Sequence, residues 1–179
     1  MKKFLLHTCC GPCGAAIFEK LVKEFDVTAY YYNPNIFPPE EYGRRLDAVR
    51  GIMKTVTGIE LVEEPYNPEY WLELCSAHKD EPEGGKRCEL CFRMRMERAA
   101  KYAKENNFDA WGTTITSGRN KKASVINPIG LDLAEKYGVP FYEADWKKGG
   151  GQERSRELCE QHKVYRQDYC GCVYSMREK

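Results

Sequence analysis

A turn with three cysteines lies between a strand-like and a helix-like segment almost at the start of the sequence. Residues 4–6, Phe-Leu-Leu, have the character of a buried strand, and apolar residues recur through 14–22 at the spacing of an amphipathic helix. Cys9, Cys10 and Cys13 fall between them. In an open α/β sheet such a turn lies at the carboxyl end of a strand, where ligands bind, and a helix N-terminus favours the thiolate that metals require. The alternative is that these cysteines pack as small apolar side chains.

The rest of the chain repeats the alternation of strands and helices. We predict further strands over 26–33, 60–62, 108–115 and 139–142, and helices over 40–57, 67–75, 86–107, 131–137 and 152–162. A chain of 179 residues suits one domain with a sizeable core. The fold class is therefore α/β: a parallel sheet with flanking helices in a single domain over 1–179, ending in a cysteine-rich C-terminal tail.

The composition excludes an integral membrane protein. Hydrophobic residues make up 42% of the chain and charged residues 31%, and no apolar run approaches the length that spans a bilayer. The N-terminus is basic and then apolar, but the apolar run stops at His7 and no small-residue cleavage site follows. We therefore expect a cytoplasmic protein without a membrane partner.

The nine cysteines are the feature of the composition that most needs an explanation. An odd number in a reducing compartment makes disulfides a poor account of them. Cys75 and Cys159 stand alone in helix-like segments and are expected to be packed core thiols. The other seven fall in three closely spaced groups, which favours a shared metal centre: Cys9, Cys10 and Cys13; Cys88 and Cys91; Cys170 and Cys172.

The second group opens a long predicted helix. Cys88 and Cys91 are three residues apart in its first turn, so both sulfurs lie on one face near the positive end of the helix dipole. A redox-active dithiol would have the same Cys-x-x-Cys spacing. We favour metal ligation, because the flanking sequence is not thioredoxin-like and two other thiol groups need partners.

Two further segments carry candidate site residues. The strand over 108–115 is followed by a hydroxyl-rich basic turn, 116–120, which either holds a phosphate or is a solvated turn. Basic side chains in this turn and in the Cys91 helix predict contacts with a polyanion. In the tail, Gly171 allows Cys170 and Cys172 to turn toward one centre.

Taken together, these motifs resemble the QueH-type, cobalamin-independent epoxyqueuosine reductase family. The resemblance rests on the motif of residues 7–13 (His-Thr-Cys-Cys-Gly-Pro-Cys), the Cys88/Cys91 pair, the segment from Ser117 to Asn127-Pro128 and the tail motif of residues 165–172. It implies an adenine-nucleotide-α-hydrolase-like fold (HUP/Rossmann-like), a 4Fe–4S cluster and a nearby mononuclear metal ion, expected to be iron. It also implies reduction of the epoxide of epoxyqueuosine in tRNA to give queuosine. At position 14, where the family often has a polar residue, this chain has glycine, so no ligand role is transferred there.

The implied reaction agrees with the chemistry of the residues. Removing an epoxide oxygen requires two electrons and protons, and since no side chain supplies electrons, a redox metal centre fed by an unidentified donor is required. Asp168 is the candidate oxygen ligand or proton donor, and weaker acid candidates are His7, Tyr165 and Tyr169. Expected substrate contacts are Ser117, Arg119, Asn127, Arg95 and Lys121.

Two other classes remain open from the sequence. An ATP-dependent tRNA-modifying enzyme of the PP-loop type would need a Gly/Ser-rich pyrophosphate loop after the first strand, where this chain has cysteines. A non-catalytic RNA adaptor would hold zinc in closed tetrahedral thiolate sites and bind RNA through its basic helix.

Overall fold

The computed structural model describes residues 1–55 and 58–176, and its centre is a parallel sheet of four strands. The strand order is β3-β2-β1-β4, and every neighbouring pair is parallel. This arrangement confirms the predicted α/β class. The strands are β1 (Lys2–His7), β2 (Phe25–Tyr31), β3 (Glu60–Glu63) and β4 (Ala110–Thr113).

Helices cover both faces of the sheet. They are α1 (Gly11–Leu21), α2 (Pro39–Met53), α3 (Pro68–Cys75), α4 (Lys86–Glu105), α5 (Ala123–Tyr137) and α6 (Gly151–Gln161). Side chains of β1 alternate between the two faces: Leu5 lies in the core under α4 and α5, whereas Phe4 and Leu6 lie in the core under α1 and α6. Burial on both faces explains why β1 is apolar without alternation.

The start of α1 depends on its cysteine turn. Cys10 is the N-cap, and its Sγ accepts a hydrogen bond from the backbone N–H of Cys13 at 3.2 Å. Pro12 lies in the first turn, where a missing N–H leaves no helical hydrogen bond broken. Gly11 packs directly on α2, since a Cβ there would lie 2.6 Å from the carbonyl oxygen of Ala48. The turn is therefore held rigidly at the carboxyl end of β1.

Several predicted boundaries are corrected by the structure. The segment 139–142 is not a strand: it makes one bridge, between Trp111 and Phe141, because Pro140 has no N–H with which to extend a ladder. The helix expected from 131 begins at 123 and contains Pro128, so Asn127 lies inside a helix rather than in a loop.

The second helix also ends earlier than expected. It was predicted over 40–57, and the structure ends α2 at Met53. Val56 and Thr57, the last part of that prediction, lie outside the described residues. The helical spacing seen through 14–22 corresponds to α1, which begins at Gly11 and ends at Leu21 before β2 begins at Phe25. No helix in the described ranges is long and apolar enough to cross a membrane.

The C-terminal tail folds back over α2 near the ends of the strands. The side chain of Arg45 donates to the carbonyl oxygens of Cys170, at 2.9 Å, and Tyr169, at 3.1 Å. The N–H of Phe37 donates to the carbonyl oxygen of Gly171 at 2.7 Å. Gly171 has φ of +116°, a conformation that favours glycine. The tail cysteines are thereby brought to the same end of the sheet as the cysteine turn.

Candidate metal centre

The cysteine turn places three sulfur atoms together. The Sγ atoms of Cys9, Cys10 and Cys13 all lie within 4.8 Å of one another, and this group could hold a metal. Cys9 Sγ is 3.8 Å from Cys10 Sγ. Thr114, just after β4, fixes Cys9 twice: its hydroxyl accepts from the Cys9 N–H at 3.1 Å and donates to Cys9 Sγ at 3.3 Å. The sulfurs therefore sit in a preformed pocket built from two neighbouring strand ends.

Cys10 and Cys13 are joined by a disulfide, which corrects the expectation that all clustered cysteines are free. The three-residue step across the first helical turn brings their Cα atoms to 5.2 Å, within the range that a disulfide needs. The amide of Gln167 donates to Cys10 Sγ at 2.9 Å. The pair must be reduced before both sulfurs can bind a metal.

The tail contributes a second pair of thiols beside a lysine. Lys121 Nζ donates to Cys170 Sγ at 3.2 Å and also forms an ion pair with Glu83 at 3.2 Å. A hydrogen bond from Cys172, followed by the charge of Lys121, lowers the pKa of Cys170 even though burial opposes this. The same hydrogen bond raises the pKa of Cys172. Cys170 is therefore the member of the pair that is favoured as a thiolate.

The pair on α4 is buried. Cys88 Sγ accepts a hydrogen bond from the N–H of Gly84 at 3.2 Å, and Cys91 Sγ lies 4.0 Å from Arg95 Nη1. Burial raises the pKa of Cys91, and the charge of Arg95 partly offsets this. Cys88 lies in the first turn of α4, as predicted, whereas Cys91 is the sixth residue of the helix and lies in its second turn.

Arg95 links the three thiol groups. Its side chain is buried and donates to Asn33 Oδ1 at 2.7 Å, while Asn33 donates to the carbonyl oxygen of Thr8 at 2.9 Å. Although burial opposes its charge, the thiols of Cys91, Cys9 and Cys170 hold its pKa above the usual value. One cysteine of each group thus acts electrostatically on the same cation. Within the described residues, only Cys9, Cys10 and Cys13 come close enough together to count as a compact metal-binding group.

A cavity of about 560 Å³ opens beside these groups. This volume lies in the range of small-ligand sites. Cys9, Cys10, Cys13 and Cys170 line it together with Arg95, Lys121 and Asp168. Asn35 also lines it, is 2% exposed, and has an amide oxygen without a hydrogen-bond partner among the described residues. The cavity therefore combines soft ligands, cations and unpaired polar atoms.

A family model described as epoxyqueuosine reductase QueH matches residues 4–178. The chain belongs to this family. A protein of Histophilus somni named epoxyqueuosine reductase QueH is 41% identical over 98% of this chain and 73% of its own length. Proteins of the same name from Staphylococcus epidermidis and Thermotoga maritima are 39% and 34% identical, covering 97% and 100% of this chain and 76% and 93% of their own.

The four candidate proton donors have different surroundings in the structure. Asp168 is exposed at the cavity, and its carboxylate has no hydrogen bond or ion pair in the described part of the chain. The hydroxyl of Tyr165 donates to Glu41 at 2.8 Å, and that of Tyr169 donates to the carbonyl oxygen of Phe37. Both phenols are therefore already engaged in holding the tail.

His7 connects strand ends and does not line the cavity. Its Nε2 lies 3.1 Å from the carbonyl oxygen of Tyr32, which can only accept, so Nε2 carries the proton. Nδ1 then accepts from the Thr113 hydroxyl at 2.9 Å. Burial, followed by the charge of Arg95, lowers the pKa of His7 to about 3. A neutral, fully bonded imidazole is a structural group.

The expected substrate contacts are dispersed. Arg95 and Lys121 line the thiol cavity but are buried or nearly so, which leaves them poorly placed for phosphates on an outer surface. Ser117 donates to the carbonyl oxygen of Thr114 at 2.8 Å, and Arg119 is exposed at the cavity rim. Asn127 lines neither this cavity nor the neighbouring one described below.

Sequence reasoning missed three polar contributors: Thr114, Asn35 and Gln167. Thr114 lies inside the strand predicted over 108–115, Gln167 lies inside the tail motif of 165–172, and Asn35 follows the strand predicted over 26–33 by two residues. That proximity was the available signal. Which of these side chains turn inward depends on the backbone path, and short motifs do not specify it.

Proposed function

We propose that this protein is an epoxyqueuosine reductase that acts on epoxyqueuosine in tRNA, in the cytoplasm where tRNA is found. Family membership supports the reaction. The observation that carries the site assignment is the cavity where thiols of the cysteine turn and the tail meet Arg95 and Asp168.

The reaction sets the requirements for the site. Both bonds from carbon to the epoxide oxygen break, a carbon–carbon double bond forms, and the oxygen leaves as water. Two electrons and two protons are consumed. An external electron donor must supply the electrons, because the side chains of the chain are not themselves a renewable source.

The donor set fits a thiolate-bound metal centre. A tetrahedral ion with metal–sulfur bonds of about 2.3 Å places its sulfur ligands about 3.8 Å apart. The separation of Cys9 and Cys10 is 3.8 Å. We assign the single ion to this turn, which needs Cys10 and Cys13 reduced. We assign the 4Fe–4S cluster to the thiols of α4 and the tail, because Cys91 and Cys172 pack in one core cluster; its ligands would be Cys88, Cys91, Cys170 and Cys172. When bound, these groups supply electron transfer and a Lewis acid.

Side chains of the chain perform the other tasks. Arg95 and Lys121 offset the negative charge that thiolates bring into a buried site. Gln167 orients Cys10 through its amide hydrogen bond. Asp168 is exposed and lines the cavity, and we assign it the delivery of a proton to the oxygen as the carbon–oxygen bond breaks.

The experiment compares cysteine variants purified without oxygen. Cys88→Ala and Cys91→Ala are expected to lose most of the bound iron, sulfide and cluster absorbance. Cys159→Ala is the matched control, since Cys159 is a buried free thiol that does not line the cavity. Iron and sulfide contents equal to the parent in both variants would refute the cluster assignment.

The same preparations test the reaction. Chemically reduced parent protein should convert epoxyqueuosine in tRNA to queuosine in a single turnover, and the Cys88 and Cys91 variants should not. A colourless, zinc-loaded parent that binds RNA without this conversion would instead favour the zinc-binding adaptor.

A further inference from the structure

A second cavity adjoins the thiol cavity and is lined by positive charge. Its volume is about 440 Å³, and it lies between α1, the turn that precedes α6, and α6 itself. None of its lining residues in the described part of the chain is acidic. Six of them are cationic: Lys20, Arg119, Lys148, Arg154, Arg156 and Arg166.

Most of these charges are not neutralised. Arg154 is fully engaged, because it pairs with Glu19 at 2.9 Å and with Glu157 at 3.1 Å. Lys148 and Arg156 have only loose, exposed pairs, at 4.0 Å to Asp145 and 3.9 Å to Glu160.

The remaining cations of this cavity have even less compensation. Arg119 and Arg166 are exposed and have no ion pair or side-chain hydrogen bond among the described residues. The ammonium of Lys20 lies over the ring of Trp146 at 5.4 Å. A concave surface with uncompensated exposed cations and no acidic wall attracts anions.

The two cavities are continuous in their lining. Cys13, Arg119 and Arg166 belong to both. A ligand whose reacting part enters the thiol cavity therefore continues past Arg119 and Arg166 into the basic cavity. That ligand has a neutral or soft reactive end and an anionic extension.

We propose that the basic cavity binds backbone phosphates of the RNA that carries the substrate nucleoside. This inference rests on the proposed function, because a nucleoside within an RNA chain has the required anionic extension on both sides. The exposed cations of this cavity suit it: arginine and lysine side chains make the phosphate contacts that dominate RNA affinity. The role falls to this exposed set because Arg95 and Lys121 are turned into the thiol site.

The test measures binding of a fluorescently labelled tRNA that carries epoxyqueuosine to the metal-loaded protein, over a range of salt concentrations. Lys148→Glu/Arg156→Glu is expected to raise Kd at least about tenfold and to reduce the slope of log affinity against log salt by about 2. Lys2→Glu/Lys54→Glu is the matched control: it makes the same change of charge at two exposed lysines, at the start of β1 and just after α2, that line neither cavity. Its Kd should stay within about twofold of the parent.

The outcomes distinguish this proposal from the proposed reaction. Unchanged Kd and salt slope in the double variant, with a parent that binds tRNA, would overturn the assignment even if epoxide reduction is observed. Weakened binding in a protein that fails to reduce the epoxide would support the surface while refuting the reaction. Iron content and thermal unfolding verify that the variants are intact, and Lys148→Gln/Arg156→Gln should give a smaller loss in the same direction.

Discussion

Replacing Arg45 by methionine is expected to release the cysteine tail from α2. The guanidinium donates to the Glu41 carboxylate at 2.7 Å and to the carbonyl oxygens of Cys170 and Tyr169. The side chains of the ion pair are only 3% and 6% exposed. Methionine keeps the apolar stem of arginine and removes all of its donors.

The expected loss of stability follows from leaving the Glu41 carboxylate buried without its ionic partner. Removing one member of a buried ion pair costs about 3–5 kcal/mol. The two bonds to tail carbonyls add little beyond this, because water can solvate those carbonyls once the tail detaches. We expect the free energy of unfolding to fall by about 4 kcal/mol in Arg45→Met. Adding Glu41→Gln should restore about 1–2 kcal/mol, because the stranded charge is gone while Tyr165 keeps an acceptor.

Urea unfolding of the single and double variants measures both effects. Arg44→Met is the control: Arg44 is the exposed neighbour on the same helix, and its contact with the tail, 5.8 Å from the centre of the Tyr165 ring, is exposed, so the change in stability should be less than about 1 kcal/mol. Amide hydrogen exchange should become faster over 164–175, and bound iron should fall because Cys170 and Cys172 lose their anchor. The reasoning is refuted if Arg45→Met is as stable as Arg44→Met and tail exchange is unchanged.

Two further predictions concern the candidate acids. The pKa of His7 is lowered by burial, and then by Arg95, from 6.5 to about 3, so the unfolded chain binds more protons than the folded one between these values. The stability that comes from keeping His7 neutral is present above pH 6.5 and is lost as pH falls toward 3, by up to about 5 kcal/mol over the whole window. His7→Asn should therefore give a shallower pH dependence of the urea midpoint. An identical slope in the variant and the parent would contradict the assignment. Asp168→Asn should slow single-turnover epoxide reduction roughly hundredfold with iron content unchanged, whereas Asp132→Asn on α5 should react at the parent rate. If Asp168→Asn reacted at the parent rate, the Asp168 carboxylate would have no role in the reaction.

Most of the sheet could be predicted because its strands are short apolar runs between recognisable helices. The strand over 60–62 and the helix from Lys86 follow local patterns closely. The predictions were wrong where core packing outweighs a local signal in the sequence. Pro128 normally argues against a helix interior, yet α5 contains it, and packing of Ile126 and Ile129 in the core stabilises that helix. Burial of these side chains in the core therefore outweighs the unfavourable effect of a proline inside the helix.

The sequence predicted that Cys9, Cys10 and Cys13 come together, but it did not predict the polar side chains that hold them. Cys91 and Arg95 are four residues apart on one helix, so their proximity could have been inferred from helical spacing. Gln167 and Asp168 show the opposite case. They are adjacent in an irregular tail, but Gln167 points at Cys10 while Asp168 is exposed. Only the path of the tail over α2 decides which side chain faces the sulfurs.

The net charge does not show that the cations form two sets, one engaged inside the protein and one exposed to solvent. The formal charge is +1, a value that predicts no affinity for RNA. Arg45 and Arg95 are buried and Lys121 is largely so, and these three cations contact the tail carbonyls and the thiols. The exposed cations beside α6 have few such commitments, so their charge is available to a solvent-borne anion. Because the two sets touch different groups, substitutions in the first should alter metal content and those in the second should alter RNA affinity, which makes the two roles separable by mutation.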